Sequence, residues 1–400
     1  MHSISVSLPP YVLALMTRLE AEGEEVYLVG GSLRDSLLGV PAHDFDLATS
    51  ALPEIMLRVF EGYRVITTGL KHGTLTVISE GSPVEITTFR IDGDYTDSRH
   101  PNEVTFTRRI TEDLSRRDFT VNAMAYHPKV GLVDPFDGRG DLDRRLIRAV
   151  REPVLRFSED ALRIMRAFRF SAQLDFSIDE ETVAGISDTK AGLSHIAVER
   201  IASEFLRLLT APDPAPALRG MIDTGVLPYV TEDYCPSARI LSLLSQCGRS
   251  EDERLGLFFS ETTPEDTQRI LRRLRLSNRQ ITGARAVSRG ATETILTPAD
   301  ARRLIAEYGV YALSVANIST LLGHSPKEAA SLVETNHAPC TLSELSVGGR
   351  ELIAAGLPPR QVGKTLDFLL RQVIEDPTLN EPSVLLSLAE AYHKKTKERI

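Results

Sequence analysis

The sequence predicts an α+β chain in which an α/β segment of about 145 residues precedes a wholly helical remainder. Three observations predict it. Short runs rich in Val, Ile and Thr, separated by Gly- and Pro-containing turns, crowd the first third of the chain. After Asp134-Pro135-Phe136-Asp137-Gly138 the β signal fades and apolar residues recur at helical spacing. Within the helical part, breaks near residue 211 and at residues 336–340 divide the chain into 1–145, 146–210, 211–335 and 336–400.

The elements follow in order. Val26-Tyr27-Leu28-Val29 is an apolar run ending at Gly30-Gly31, as a strand entering a turn does. Residues 32–38 read as a short helix closed by Gly39 and Pro41. Residues 44–48 alternate polar and apolar, as a strand does. Residues 74–78 and 84–89 read as strands, with Glu80-Gly81-Ser82-Pro83 between them as hairpin punctuation. Residues 91–101 are polar and read as a loop. Residues 199–209 carry Ile201, Phe205, Leu208 and Leu209 at helical spacing, and Pro212-Asp213-Pro214-Ala215-Pro216 breaks the pattern.

Four hundred residues exceed one ordinary domain, and 42% hydrophobic with 25% charged content is that of a globular protein. No run of eighteen apolar residues occurs, so no membrane-spanning helix is expected. The start lacks a basic region followed by an apolar stretch, and Cys235, Cys247 and Cys340 form neither a disulfide framework nor a zinc spacing. A cytoplasmic protein is expected. Net charge is −9, which alone argues against a nucleic-acid partner. Yet nine arginines face five acids between Arg139 and Arg169, so positive charge is concentrated locally. Arg269 to Leu276 is a second basic stretch, and His393-Lys394-Lys395-Thr396-Lys397 a third. Each suits RNA contact or a solvated helix face equally.

Asp44-Phe45-Asp46 is the first chemical feature. Residues i and i+2 of a strand share a face, so Asp44 and Asp46 converge while Phe45 and Leu47 pack behind. Two close carboxylates repel, and a hard divalent cation such as Mg²⁺ relieves the repulsion. A half-exposed strand gives the same pattern. Ten or so residues upstream, Gly30-Gly31-Ser32-Leu33-Arg34-Asp35 combines a turn that lets backbone approach a phosphate, a helix N-terminus and a cation. Glu85, on its own strand, is a third candidate carboxylate for a catalytic cluster; a solvent-facing glutamate fits equally.

These two motifs, continued through Arg116-Arg117-Asp118-Phe119-Thr120-x-Asn122-Ala123, Glu159-Asp160-x-x-Arg163-x-x-Arg166-Ala167-x-Arg169-Phe170 and Glu199-Arg200 with Glu204-Phe205, stand in one order over about 180 residues. The set resembles the signature of class II tRNA nucleotidyltransferases and the related bacterial poly(A) polymerases, and is most like that of CCA-adding members. The resemblance implies a polymerase β-like nucleotidyltransferase head over 1–145, a helical neck, a helical body and a tRNA-binding tail. It implies Asp44 and Asp46 as metal ligands. It implies Gly31, Arg34 and Arg117 on the triphosphate, and Asp118 on the ribose 2′-OH. It further implies CTP, ATP and tRNA as partners. Residues 92–101 resemble a flexible loop that CC-adding members tend to lack, with His100 where Arg is usual.

Asp160 and Arg163 are the implied base-reading pair. At i and i+3 of a helix they would sit side by side. Asp only accepts hydrogen bonds and Arg only donates. Cytosine and adenine each offer an amino donor beside a ring acceptor, which matches that pair; uracil and guanine offer the reverse. Arg166 and Arg169 continue the stripe. The expected function is CCA addition to tRNA with release of pyrophosphate. An A-adding partial enzyme, a poly(A) polymerase and an inactive RNA-binding paralogue remain as alternatives.

Overall fold

A computed structural model describes residues 6–42, 44–92 and 104–397, which form two compact units, Met1–Cys235 and Pro236–Ile400.

The first unit opens with helix α1 (Pro10–Ala21), started by a proline in its first turn. Its buried stripe, Val12, Leu15, Met16 and Leu19, follows the i, i+3, i+4, i+7 spacing of a core-facing helix. Strand β1 (Val26–Val29) is buried on both faces, as its unbroken apolar run requires. It feeds α2 (Gly30–Leu37), then β2 (Phe45–Thr49) and α3 (Pro53–Val59). Next come β3 (Arg64–Ile66), β4 (Thr74–Ser79) and β5 (Ser82–Thr88). Glu80 and Gly81, both at positive φ, make the two-residue turn between β4 and β5.

A small ribbon of β6 (Arg90–Asp92) and β7 (Val104–Phe106) follows. The loop expected from residue 91 therefore begins as strand, and residues 93–101, His100 included, lie outside the described residues. Helix α4 (Ile110–Ser115), β8 (Ala125–His127), β9 (Gly131–Val133) and α5 (Gly138–Arg144) complete the α/β part. The seven-stranded sheet runs β3-β4-β5-β2-β1-β8-β9. Its centre carries the chemistry: Asp46 of β2 stands between Val29 of antiparallel β1 and Glu85 of parallel β5.

Helices α6 (Pro153–Glu159), α7 (Leu162–Leu174), α8 (Glu180–Thr189) and α9 (Val198–Leu209) belong to the same unit. The helix expected over 199–209 is present, and its four apolar residues are buried. The break after it leads into a helix at Ala215–Asp223 that packs on α7, where Gly220 lies against Phe168.

Among its described residues the second unit contains helices joined by turns and loops, and no strand. Part of its core is built by Val347, Leu352, Leu369, Val373 and Leu385. One helical stretch, Pro298–Leu321, is long and apolar enough to cross a membrane by length and composition. Its Val315, Ala316 and Ile318 are buried within this unit.

Candidate nucleotide and metal site

The turn from β1 into α2 starts the site. Gly30 has φ +71°, a left-handed conformation that glycine adopts without steric cost. A Cβ there would stand 3.3 Å from Asp46 Oδ2 and 3.5 Å from Arg117 Nη1. The glycine therefore lets a carboxylate and a guanidinium close on the backbone. Arg34, buried on α2, donates to Asn122 Oδ1 at 2.8 Å and pairs with Asp35 at 2.7 Å.

Strand β2 begins at Phe45, so Asp44 lies one residue ahead of it and is exposed. The expected strand start is thus one residue early, and Asp44, just outside β2, still acts on Asp46 through its charge. Phe45 and Leu47 are buried behind Asp46, as expected. Burial, the Glu85 carboxylate and, less strongly, Asp44 push the Asp46 carboxyl up to about 6, against the pull of Arg117. Among the described residues no three His, Cys, Asp or Glu side chains gather to hold a metal, so Asp44, Asp46 and Glu85 do not form a three-carboxylate cluster. Glu85 instead lines a cavity of about 180 Å³ with Asp46, Arg90, Asp113, Arg116 and Arg117. An all-oxygen donor set under mutual repulsion is what a hard divalent cation relieves, so Asp44 and Asp46 fit a metal ion.

Beside them opens a cleft of about 540 Å³. All eight expected nucleotide contacts line it: Gly31, Arg34, Arg117, Asp118, Asp160, Arg163, Arg166 and Arg169. Asp46 reaches its wall. Seven arginines and three aspartates line the cleft, a cationic excess suited to a polyphosphate.

Within it the acids are held in defined pairs. Asp118 accepts from Phe119 N (2.9 Å) and Asn122 Nδ2 (3.3 Å) on one oxygen and from Arg166 on the other. Burial opposes its charge, yet Arg166, Arg163 and Asn122 hold its carboxyl down at about 2. Asp113, buried on α4, binds Arg116 at 2.8 Å and Arg117 at 3.2 Å. Burial opposes that charge too, and the two arginines keep its carboxyl below the usual range.

The base-reading pair departs from expectation. Asp160 is not on the helix with Arg163: it caps the end of α6, with extended backbone, and α7 starts at Leu162. Both residues line the cleft, but each has another partner. Asp160 accepts from Leu162 N at 3.0 Å and from Arg200 at 3.1 Å. Arg163 binds Glu159 at 2.6 Å and the backbone carbonyls of Arg156 and Arg116. Arg169 lies 2.5 Å from Glu204 and packs its guanidinium 3.9 Å from the Phe170 ring centre.

Comparison with known proteins fits this geometry. The family model described as Poly A polymerase head domain matches residues 26–148, and one described as the probable RNA and SrmB-binding site of polymerase A matches residues 175–236. The CCA-adding enzyme of Limosilactobacillus fermentum is 38% identical over 394 residues, 94% of this chain and 95% of that protein. The Geobacillus kaustophilus CCA-adding enzyme is 37% identical over 395 residues, 93% and 95% of the two chains. The chain belongs to the CCA-adding enzyme family. The crystal structure of the Bacillus stearothermophilus CCA-adding enzyme in complex with CTP shares its fold at TM-score 0.83 and 31% identity, covering 98% of this chain and 100% of that one. CCA-adding enzymes are metal-dependent nucleotidyltransferases.

Sequence reasoning missed several residues of this CCA-adding enzyme's cleft. Arg116, Asn122, Phe170 and Arg200 line it, though each lay inside a quoted motif. Asp113 was missed altogether. Its spacing, three and four residues before Arg116 and Arg117, was the available signal.

Proposed function

We propose that the chain adds CCA to the 3′ end of tRNA from CTP and ATP, without a nucleic-acid template, and releases pyrophosphate. One observation carries this reading. A single cleft holds all eight expected nucleotide contacts with Asp46 at its wall, in a chain that matches CCA-adding enzymes along nearly its whole length.

In this reading Asp44 and Asp46 hold Mg²⁺, and Glu85 contributes only through its charge on Asp46. When bound, the ion supplies Lewis acidity at the α-phosphate and makes the primer 3′-OH more acidic. Gly31, Arg34 and Arg117 bind the triphosphate and orient the α-phosphate for in-line attack. Asp118, steadied by Arg166, faces the ribose, and Arg169 lends charge at the cleft wall. Asp160 accepts from the amino group of cytosine or adenine. Arg163 has five donors, of which three are engaged with Glu159, Arg156 and Arg116. The remaining donors address the ring nitrogen beside that amino group.

The four-part division at 145, 210 and 335 is kept within this reading, with the helical body and tail on the tRNA. Between residues 267 and 292 the chain carries seven arginines and no acid, which suits an RNA backbone. A cytoplasmic location goes with the same reading. The deciding assay incubates the protein with tRNA lacking CCA and with each nucleotide separately and in mixtures. Addition of C, C and then A is the expected result. Long A ladders on unrelated RNA would replace this reading with poly(A) synthesis, and A addition only to a preformed CC end with a partial enzyme.

A further inference from the structure

Phe170 stands near the middle of α7 and is 6% exposed. Three guanidiniums of the cleft approach its ring: Arg169 at 3.9 Å, Arg34 at 5.2 Å and Arg166 at 5.3 Å from the ring centre. Phe119, the residue after Asp118, meets the same ring edge-on at 5.9 Å and 81°. The ring thus joins three parts of the site, namely the phosphate turn, the ribose motif and α7.

Three like charges this close repel one another. Each has its own direct anchor: Asn122 and Asp35 for Arg34, Asp118 for Arg166, Glu204 and Gln173 for Arg169, with Asp118 and Glu204 each also acting through charge on both Arg166 and Arg169. Phe170 is the partner they share. An aromatic face is electron-rich, and a desolvated cation over it gains from the ring quadrupole. An aliphatic side chain of similar size would fill the space and supply none of that attraction.

We propose that Phe170 is a positioning residue, which gathers Arg34, Arg166 and Arg169 into a preformed polyphosphate receptor before the nucleotide arrives. The inference rests on the assignment of this cleft to nucleotide triphosphates. It predicts weaker binding of any polyphosphate when the ring loses electron density at constant shape, because the arginines must then be ordered by the ligand itself.

The test places 4-fluoro-, 3,5-difluoro- and 3,4,5-trifluorophenylalanine at position 170 of the full chain. Two quantities are read: the Kd of inorganic tripolyphosphate by calorimetry, and KM and kcat for CTP and ATP on tRNA. Both Kd and KM should climb with each fluorine, reaching on the order of 3- to 10-fold for the trifluoro ring. Values of kcat should stay within about 2-fold, since the loss is in binding. Phe170→Leu should show the same loss with its thermal midpoint recorded alongside. A Kd and KM flat across the fluorinated series would overturn the proposal, whatever Phe170→Leu does. A rise confined to one nucleotide with tripolyphosphate unchanged would also overturn it, and would make Phe170 a base contact. Should the unmodified chain fail to extend tRNA while the tripolyphosphate series still climbs, CCA addition falls and the positioning role stands.

Discussion

Arg166 reaches one carboxylate oxygen of Asp118 with both Nε, at 2.7 Å, and Nη2, at 2.6 Å. The pair crosses 48 residues of chain and ties α7 to the Arg116-Arg117-Asp118 motif. It leaves the Asp118 carboxylate, the proposed ribose acceptor, already charged and oriented. A lysine is a point charge that cannot reproduce a two-nitrogen contact. Arg166→Lys should therefore raise KM for CTP and ATP together, by roughly 10-fold, the equivalent of one charge-assisted hydrogen bond of about 1.5 kcal/mol. A double-mutant cycle with Asp118→Asn, read from steady-state kinetics, measures the coupling. Strict additivity would show that the pair does not act as a unit.

The same carboxylate sets an acid limb on stability. Its folded value of about 2 lies below the ordinary 3.8. Its contribution is therefore fully present above pH 4 and lost as pH falls from 4 to 2. The size is about 2 kcal/mol by linkage. Denaturant midpoints at pH 7, 4 and 2.5 should show wild type losing more between the last two than Asp118→Asn does. Parallel losses would contradict the pairing.

Asp46 is half-buried opposite Glu85 and crowded by negative charge. Asp46→Asn should remove repulsion and, in the proposed reading, a metal ligand together. In chelator the variant should melt higher than wild type. Its nucleotide addition should fall by more than the roughly 10- to 100-fold typical of residues that merely support a metal site. Melting scans and a tRNA extension assay read the two effects separately.

Asp160, the proposed base-reading acid, is held by Arg200 rather than by Arg163. Asp160→Asn turns a pure acceptor into a group that can also donate, and should admit UTP or GTP. Discrimination should drop by roughly 1–3 kcal/mol, the worth of a two-point base contact. Arg200→Ala should relax selection in the same direction, with less loss of triphosphate binding. Unchanged C and A preference in both variants would refute a protein-borne template.

Gly30→Ala combines an unfavourable φ with a methyl 3.3 Å from Asp46 Oδ2. It should cost about 1 kcal/mol or more in stability and lower kcat with metal present. Equilibrium unfolding and single-turnover rates check the two parts.

Much of this was legible in the chain. The run Val26–Val29 appears where expected, and the turn expected over residues 80–83 is the shorter Glu80-Gly81, with Ser82 and Pro83 already in β5. The motifs, through the family they resemble, named eight residues that all line the cleft, and their donor and acceptor chemistry suits phosphate, ribose and base. Strand edges were less legible: β2 starts one residue late, and β6 runs on into an expected loop.

What the sequence by itself determined is the inventory of residue types: paired carboxylates, a glycine turn, a concentration of arginines, and an acid with an arginine three residues on. What only the tertiary structure decided is who holds whom. Asp160 turned from Arg163 to Arg200, Arg163 to Glu159, and Asp118 to Arg166. Sequence spacing ranks neighbours along one helix, and the α6–α7 joint breaks that helix between Asp160 and Arg163. Phe170 shows the same limit, because nothing in its local spacing places Arg34 of α2 beside it; only packing of α7 against the head does.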